Sequence, residues 1–498
     1  MPIHRRRFLQ LTGGMVAAGL AACGGGGSGS SAPPAPPDWN GLAAGLQGMI
    51  VNPSDATFAD LALVFNRRFD ATAPIAIVRC ASTADVVETL QFIKKNNFTF
   101  VPRCGGHNYA GYSATGGIML DVRPMNTVQV NGDGTATIGA GALLVDVYTQ
   151  LIAQGVCISS GTCPTVGIAG ITMGGGISVI DRQHGLTCDN LVSAQVVTAD
   201  GQVRTCSATS EPDLFWALRG GGGGNFGVAT SFTFQTHPVT ELTTFSAYFD
   251  FVDAAKVIAA WQAWPQALPN NIWAQITVGY GGLASPSVYL DGVCIGTPDD
   301  LNPVWESFLG SLGVTAYSPN SQSQTYLEVM LSLCGDETDS QCHFIGETSD
   351  AKNEGAKFVG SSDFFNAPLP AEGIQAFLDA MTAQNNAGVY GYVILDLMQG
   401  AIAQTAVDAT AFPHRQALFS AEYWQYVLSA TDSLTWANDM RSLMSPWSSG
   451  GAYVNYMDPL IQDWPDAYYG ANYNRLQQVK AQYDPTGLFQ LPQGVKAT

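Results

Sequence analysis

Glycine constrains this chain most, because it gathers in three short stretches where the backbone must come close to something large. The first is Arg103-Cys104-Gly105-Gly106-His107-Asn108-Tyr109, directly after a β-rich run. Two glycines without Cβ atoms allow a tight approach and aim consecutive N–H groups at an anion such as a phosphate, and they push the following His107 toward whatever is bound. Taken alone, such a Gly-Gly-His segment is more often only a turn. The second stretch is Gly161-Thr162-Cys163-Pro164-Thr165-Val166-Gly167-Ile168-Ala169-Gly170, followed by Met173-Gly174-Gly175-Gly176. A cysteine in so glycine-dense a loop is presented to a ligand, with a disulfide to Cys157 as the competing reading. The third is the five-glycine run Gly220–Gly224, leading into Asn225-Phe226-Gly227-Val228. It contains a formal G-x-G-x-x-G at Gly222, Gly224 and Gly227. A helix precedes it and a strand follows, the reverse of a dinucleotide-binding turn, which argues against a nicotinamide Rossmann site. No P-loop occurs, and no C-x-x-C or His-x-x-x-His supports a metal.

Around these stretches the pattern is α+β. Strands are expected at Ile75–Val78, Thr99–Pro102, Thr135–Ala140, Asn190–Thr198 and Val228–Thr236, with helices from an N-cap at Ser82 through Lys95 and over Leu143–Gln154. Past about residue 241 the glycine clusters thin out, and aromatic-rich strands alternate with longer amphipathic helices such as Ala371–Gln384. With 498 residues, two domains or one large two-part unit are expected: residues 39–240 and 448–498 as one, 241–447 as the other. Tyr473–Tyr483 has helical spacing that ends at Asp484-Pro485.

The N-terminus reads as an export signal. Arg5-Arg6-Arg7-Phe8-Leu9 precedes an apolar run, Leu11–Ala22, too short to anchor in a bilayer, and the paired arginines resemble a twin-arginine signal for proteins that fold before export. Leu20-Ala21-Ala22-Cys23 resembles a lipoprotein box, so a membrane attachment is expected only through a lipid at Cys23, with an ordinary signal cleavage as the alternative. Gly24–Pro37 is a Gly/Ser/Ala/Pro tether. The destination is then periplasmic or extracellular. Of ten cysteines, eight remain beyond Cys23 and Cys163; Cys334 and Cys342 flank a turn and form the easiest disulfide to imagine, although free buried thiols are equally allowed. A formal charge of -19 with no basic stripe excludes nucleic acid as a partner. A monomer acting on a small molecule with dioxygen is the expected state.

Taken together, the three glycine stretches in this order and spacing resemble the vanillyl-alcohol-oxidase-type flavoproteins, in particular the berberine-bridge-enzyme-like branch that includes sugar oxidases. The resemblance is dense over residues 50–240, good over the last fifty and weaker between. It implies an α+β fold: a two-part PCMH-type FAD-binding domain with an inserted substrate domain built on an antiparallel sheet flanked by helices. It also implies FAD bonded through its 8α-methyl carbon to His107 and through carbon 6 to Cys163. Further cofactor contacts fall at Arg103, Cys104, Gly105, Gly106, Asn108, Gly161, Thr162, Thr165, Val166, Gly167, Gly170, Gly174, Gly175, Gly227 and Val228, and the residue matched by Asn472 contacts the flavin. Cys104 does not match the family's attaching cysteine and is taken as structural. Val166 stands where a small residue admits oxygen. Ile171-Thr172 and Ser178 depart from the plant-like pattern, which weakens transfer of plant substrates.

In the same resemblance Ala452-Tyr453-Val454-Asn455-Tyr456-Met457-Asp458 carries the catalytic base, Tyr456, with Asp396 as a carboxylate relay. A phenol titrates near about 10, so a base role at neutral pH needs such help. If the segment is a strand, Tyr453 and Tyr456 point to opposite faces. The expected chemistry is hydride transfer from a substrate C–H to flavin N5, then reoxidation by dioxygen with release of peroxide. Tyr453, His414 and Trp424 are candidate substrate contacts, and Trp424, Tyr426, Trp447, Tyr453 and Trp464 offer flat faces for pyranose rings. The substrate expected is the reducing-end C1 hydroxyl of a sugar; secondary alcohols on glycosylated polyketides, or a binding protein of the same fold without turnover, are the alternatives. Arg475 and Lys480 read as the polar side of a surface helix.

Overall fold

A computed structural model describes residues 36–266, 268–279, 286–335, 337–345 and 347–498. The export signal, Cys23 and nearly all of the Gly24–Pro37 tether lie outside the described residues. The first described element is the helix Trp39–Gly45.

The first part holds two sheets. A four-stranded sheet orders Met49–Val51, Ala76–Arg79, Ile118–Asp121 and Phe100–Arg103, with the last three parallel. Its crossover helix, Thr83–Asn96, begins where expected: the Ser82 side chain accepts from the Asp85 N–H, a cap worth about 1 kcal/mol, and Asn97 ends it in a left-handed conformation. Asp85 in turn accepts from the N–H groups of Gln47, Gly48 and Ala81, which ties the first strand's approach to the helix N-terminus. The second sheet is antiparallel and five-stranded: Val128–Val130, Thr135–Gly139, Val228–Gln235, Leu191–Val197 and Val203–Ser207.

From Leu242 the chain builds a different object. Seven antiparallel strands order Tyr317–Gln324, Leu242–Asp250, Ser287–Ile295, Ile272–Gly279, Gly391–Leu397, Phe419–Tyr426 and Phe358–Phe365. Strand alternation gives the sheet two faces. Val393, Leu395, Phe419, Ala421 and Tyr423 enter a core with residues of the helices Ala254–Ala263, Pro298–Ser311, Ala371–Asn386 and Trp436–Met444. Tyr392, Ile394, Glu422 and Trp424 look the other way, toward the glycine loops.

The chain end rejoins the first part: Ala452, Val454, Tyr468, Leu476 and Tyr483 share one core with Ile138, Leu144 and Phe232. The helix Tyr473–Tyr483 holds the bounds its spacing predicts. Arg475 is a surface residue paired with Asp213 at 2.8 Å. Lys480 is not: it is 2% exposed, and its Nζ donates to the Asn225 and Phe489 carbonyls and pairs with Asp484. The lysine satisfies buried carbonyls of two segments outside its helix, a job that sequence spacing does not display.

Candidate active site

The glycine loops meet because they carry no side chains at the contact. A Cβ on Gly105 would lie 2.3 Å from the Gly167 nitrogen, and one on Gly167 would lie 2.1 Å from Cys104 Sγ. Gly106, at φ +74°, turns the chain so that His107 follows on the open side. The first two stretches therefore lie against each other, and His107 and Cys163 both line one cavity of about 560 Å³. Gly170 lines it too, and a Cβ there would meet nothing within 4 Å, so the wall is smooth where a side chain would intrude. The five-glycine run supplies Gly222, Gly223 and Gly224.

His107 is stacked on Phe65 with ring centroids 4.0 Å apart, and its Nε2 lies 2.8 Å from Thr165 Oγ1. Burial pulls its pKa down to about 3, which keeps the ring neutral and nucleophilic. Cys163 is a free thiol, as is Cys157, so no disulfide joins them. Burial raises the Cys163 thiol, while the Thr165 hydroxyl and the Thr165 and Val166 N–H groups pull it the other way. The expected disulfide, Cys334–Cys342, is formed.

The opposite wall comes from the seven-stranded sheet. Glu422 is buried on the strand Phe419–Tyr426, and Tyr109 donates to its Oε1 at 2.5 Å. Burial pushes the Glu422 carboxyl up to about 7, against the hydrogen bonds from Tyr109 and Tyr456 that favour its charge. Tyr109 and Tyr456 stack with centroids 5.1 Å apart, and burial and the neighbouring Glu422 hold both phenols well above their ordinary range. Trp424 and Tyr392 lie parallel beside them.

Arg103, Cys104, Asn108, Gly161, Thr162, Val166, Gly227 and Val228 also line the cavity, as do Tyr426, Tyr453 and Tyr456. Within that set two roles are structural. The Arg103 guanidinium pairs with Asp121 at 3.0 Å and donates to the Leu61 carbonyl, and the Cys104 thiol points to the Ala142 carbonyl. Several expected site residues stay outside the cavity lining. Gly174 leaves room for Asn455, whose Oδ1 would lie 2.0 Å from a Cβ there, and Gly175 faces Phe412 and Tyr453, so both seat the tyrosine segment. The Asn472 amide donates to the Val407 and Thr410 carbonyls, and His414 stacks on Phe364 with its Nε2 3.2 Å from the Tyr468 carbonyl. Trp447 packs on the core of the seven-stranded sheet and Trp464 on that of the first part, and neither lines the cavity.

Asp396 shares the sheet face of Tyr392 and Ile394 but lies one pleat further on, where Trp273 Nε1 donates to it at 2.7 Å. Burial, with Asp181, Asp291 and Glu422 nearby, pushes its carboxyl well up. Val454–Tyr456 is a 3-10 turn, not a strand, so the opposite-face expectation for Tyr453 and Tyr456 fails: both line the cavity, edge to face at 4.9 Å. A turn rotates successive side chains by about a third of a circle, not a half.

Sequence reasoning missed Glu422. Its signal was the one used for Asp396, an acid inside an apolar strand, here Phe419-Ser420-Ala421-Glu422-Tyr423-Trp424. Tyr109, two residues past His107, stood in a motif without a role.

A glycine-floored cavity within the usual ~300–1,000 Å³ of cofactor sites, walled by aromatic rings and entered by a neutral imidazole and a thiol, fits a flavin nucleotide. The family model for an FAD binding domain matches residues 74–207, and that for berberine and berberine-like proteins matches 452–496. The FAD-linked oxidoreductase YgaK of Bacillus subtilis is 30% identical over 471 residues, covering 90% of this chain and 97% of its own. The chain belongs to the berberine-bridge-enzyme-like family of FAD-linked oxidoreductases. Within that family a chitooligosaccharide oxidase of Gibberella zeae is 29% identical, covering 85% of this chain and 87% of its own. The solved structure of BBE-like 1 from Physcomitrella patens superposes with a TM-score of 0.83 at 29% identity, over 92% of this chain and 98% of that one. These likenesses agree with the PCMH-type fold that the glycine stretches imply. As a berberine-bridge-enzyme-like oxidoreductase the protein is FAD-linked, and its glycine-loop cavity has the size and lining that fit that cofactor.

Proposed function

We propose that the protein is an oxidase of hydroxyl-bearing small molecules, with an oligosaccharide's reducing-end C1 hydroxyl as the favoured target and FAD held by bonds to both His107 and Cys163. The observation that carries this reading is the convergence, on one cavity, of those two nucleophiles with the Glu422–Tyr109–Tyr456 cluster. When bound, FAD supplies a two-electron acceptor that dioxygen can reoxidise with release of hydrogen peroxide. Glu422 is the proton acceptor, reached directly or through Tyr456: near pH 7 it is poised between its forms, the condition that suits a general base. Tyr109 orients that carboxylate. Trp424, Tyr392 and Tyr426 line the same wall and offer flat faces against which a sugar ring stacks. Asp396 stands behind this group as a modulator of its charge. The chitooligosaccharide oxidase likeness supports a carbohydrate substrate. Val166 on the cavity wall supports access for dioxygen. Export through the twin-arginine signal is consistent with the Cys334–Cys342 disulfide, since such bonds persist in oxidising compartments.

The test is a panel of mono- and oligosaccharides and secondary alcohols offered to purified protein, with peroxide release and anaerobic flavin bleaching followed together. Bleaching by sugars with peroxide on re-aeration is the expected result. A covalently yellow protein that no hydroxyl compound bleaches would remove the oxidase reading.

A further inference from the structure

Thr165 is the side chain, among the described residues, that touches both anchoring groups. Its Oγ1 lies 2.8 Å from His107 Nε2 and 3.8 Å from Cys163 Sγ. A third group reaches the same oxygen from another part of the chain: Asn353 Nδ2 donates to it at 3.2 Å. Asn353 sits on the segment that follows the Cys334–Cys342 disulfide, which lies across the first part of the molecule. There His343 Nε2 meets Asp146 at 3.2 Å, Phe344 bridges Asn353, and Ala356 bridges Asn66.

A hydroxyl has one hydrogen and two lone pairs. Asn353 occupies one lone pair of Thr165. In one of the two remaining arrangements, His107 Nε2–H donates to the other and the hydroxyl hydrogen goes to the Cys163 sulfur. The hydrogen bond made by one imidazole nitrogen sets the tautomer, so the lone pair then sits on Nδ1, which has no hydrogen-bond partner among the described residues. The same arrangement gives the sulfur a donor that favours thiolate. This arrangement exposes the His107 lone pair on Nδ1 and eases ionisation of the Cys163 thiol at the same time. In the other arrangement the hydroxyl donates to Nε2 and accepts from S–H, and neither effect follows.

We propose that Thr165, braced by Asn353, is the positioning residue for both covalent attachments of the flavin, selecting the reactive His107 tautomer and activating Cys163. This rests on the double-attachment reading. At His107 an 8α C–H and a ring N–H are replaced by a C–N bond; at Cys163 a ring C6–H and an S–H are replaced by a C–S bond. Each replacement releases two protons and two electrons, which one dioxygen takes up as one hydrogen peroxide.

Thr165→Val keeps the side-chain shape and deletes the hydroxyl, and Thr165→Ser restores it. Each is made in the full chain and in His107→Ala and Cys163→Ala backgrounds, where a single anchor remains. The denatured protein is weighed intact at timed intervals for chains carrying one FAD. The expected result is attachment slowed by on the order of tenfold or more by T165V in both single-anchor backgrounds, with recovery in T165S and a smaller slowing in Asn353→Ala. The attachment rate is expressed per FAD bound before denaturation and at a temperature well below each variant's melting point, which separates positioning from cofactor binding and from folding. If T165V itself fails to fold, the T165S and N353A rates decide. Attachment by T165V at the parental rate in both backgrounds, or by N353A and T165S alike at rates unrelated to the hydroxyl, overturns the proposal. If the unsubstituted chain weighs without FAD, the double-attachment reading itself has failed, and this inference falls with it.

Discussion

The loop wall of the cavity meets its contents through backbone, at Gly105, Gly167, Gly170 and Gly223, whereas the sheet wall meets them through side chains, at Tyr392, Glu422 and Trp424. On the loop wall each of these glycines is set by what lies behind it or by the space before it, and His107 and Cys163 protrude beside side chains such as Asn108 and Val166. On the sheet wall every position is a side chain chosen by strand alternation, and a shift of one residue would bury Glu422 in the helical core and turn Ala421 or Tyr423 to the cavity. On the proposed function the difference is a division of labour, in which one wall would hold the cofactor and the other would act on the substrate.

That division can be broken in order of expected effect. Replacing both His107 and Cys163 by Ala removes all FAD that survives denaturation, read by intact mass; retention of covalent flavin would mean that a different residue anchors it. Gly167→Val forces heavy atoms into the space of Cys104 Sγ and the Gly105 backbone, so it costs on the order of 3 kcal/mol, seen as a lower melting temperature together with lost flavin. Glu422→Gln leaves the flavin attached and lowers kcat/KM by roughly 10²–10⁴-fold. Because the Glu422 carboxyl sits at about 7 and accepts a proton only when ionised, activity of the parent rises with pH through that value, and E422Q flattens this limb. A loss of flavin in E422Q would erase the distinction between the walls. Asp396→Asn, one pleat behind the cavity, changes kcat/KM by only about threefold, in keeping with a through-space effect on Glu422.

The legible parts were those whose cause is local. Ser82 caps a helix with its own neighbour's N–H, and the Asp484-Pro485 stop ends the last helix, so both elements were readable from a few adjacent residues. The glycine stretches announced a close ligand for the same reason, and His107 and Cys163 stood inside them. Asp396 and Glu422 are the contrary case. Each is an acid in an apolar strand, alike by sequence, and only the pairing of Gly391–Leu397 with Phe419–Tyr426 sets Glu422 opposite Ile394, beside Tyr109, and leaves Asp396 opposite Ser420 with Trp273. The tyrosine pair failed differently: Tyr453 and Tyr456 were placed on a strand, but Gly174 and Gly175 open room for a 3-10 turn there, and those glycines lie some 280 residues away in the chain.

By itself the sequence marked stretches where the backbone comes close to something, with an imidazole and a thiol set inside two of them, because glycine's missing Cβ and the order of residues around it act within a single loop. Tertiary structure alone decided which carboxyl faces the cavity, that both tyrosines do, and that Thr165 lies between His107 and Cys163 with Asn353 on its hydroxyl. Those contacts span from two to more than three hundred positions, and their geometry follows from strand register and loop packing, quantities that no neighbouring residue encodes.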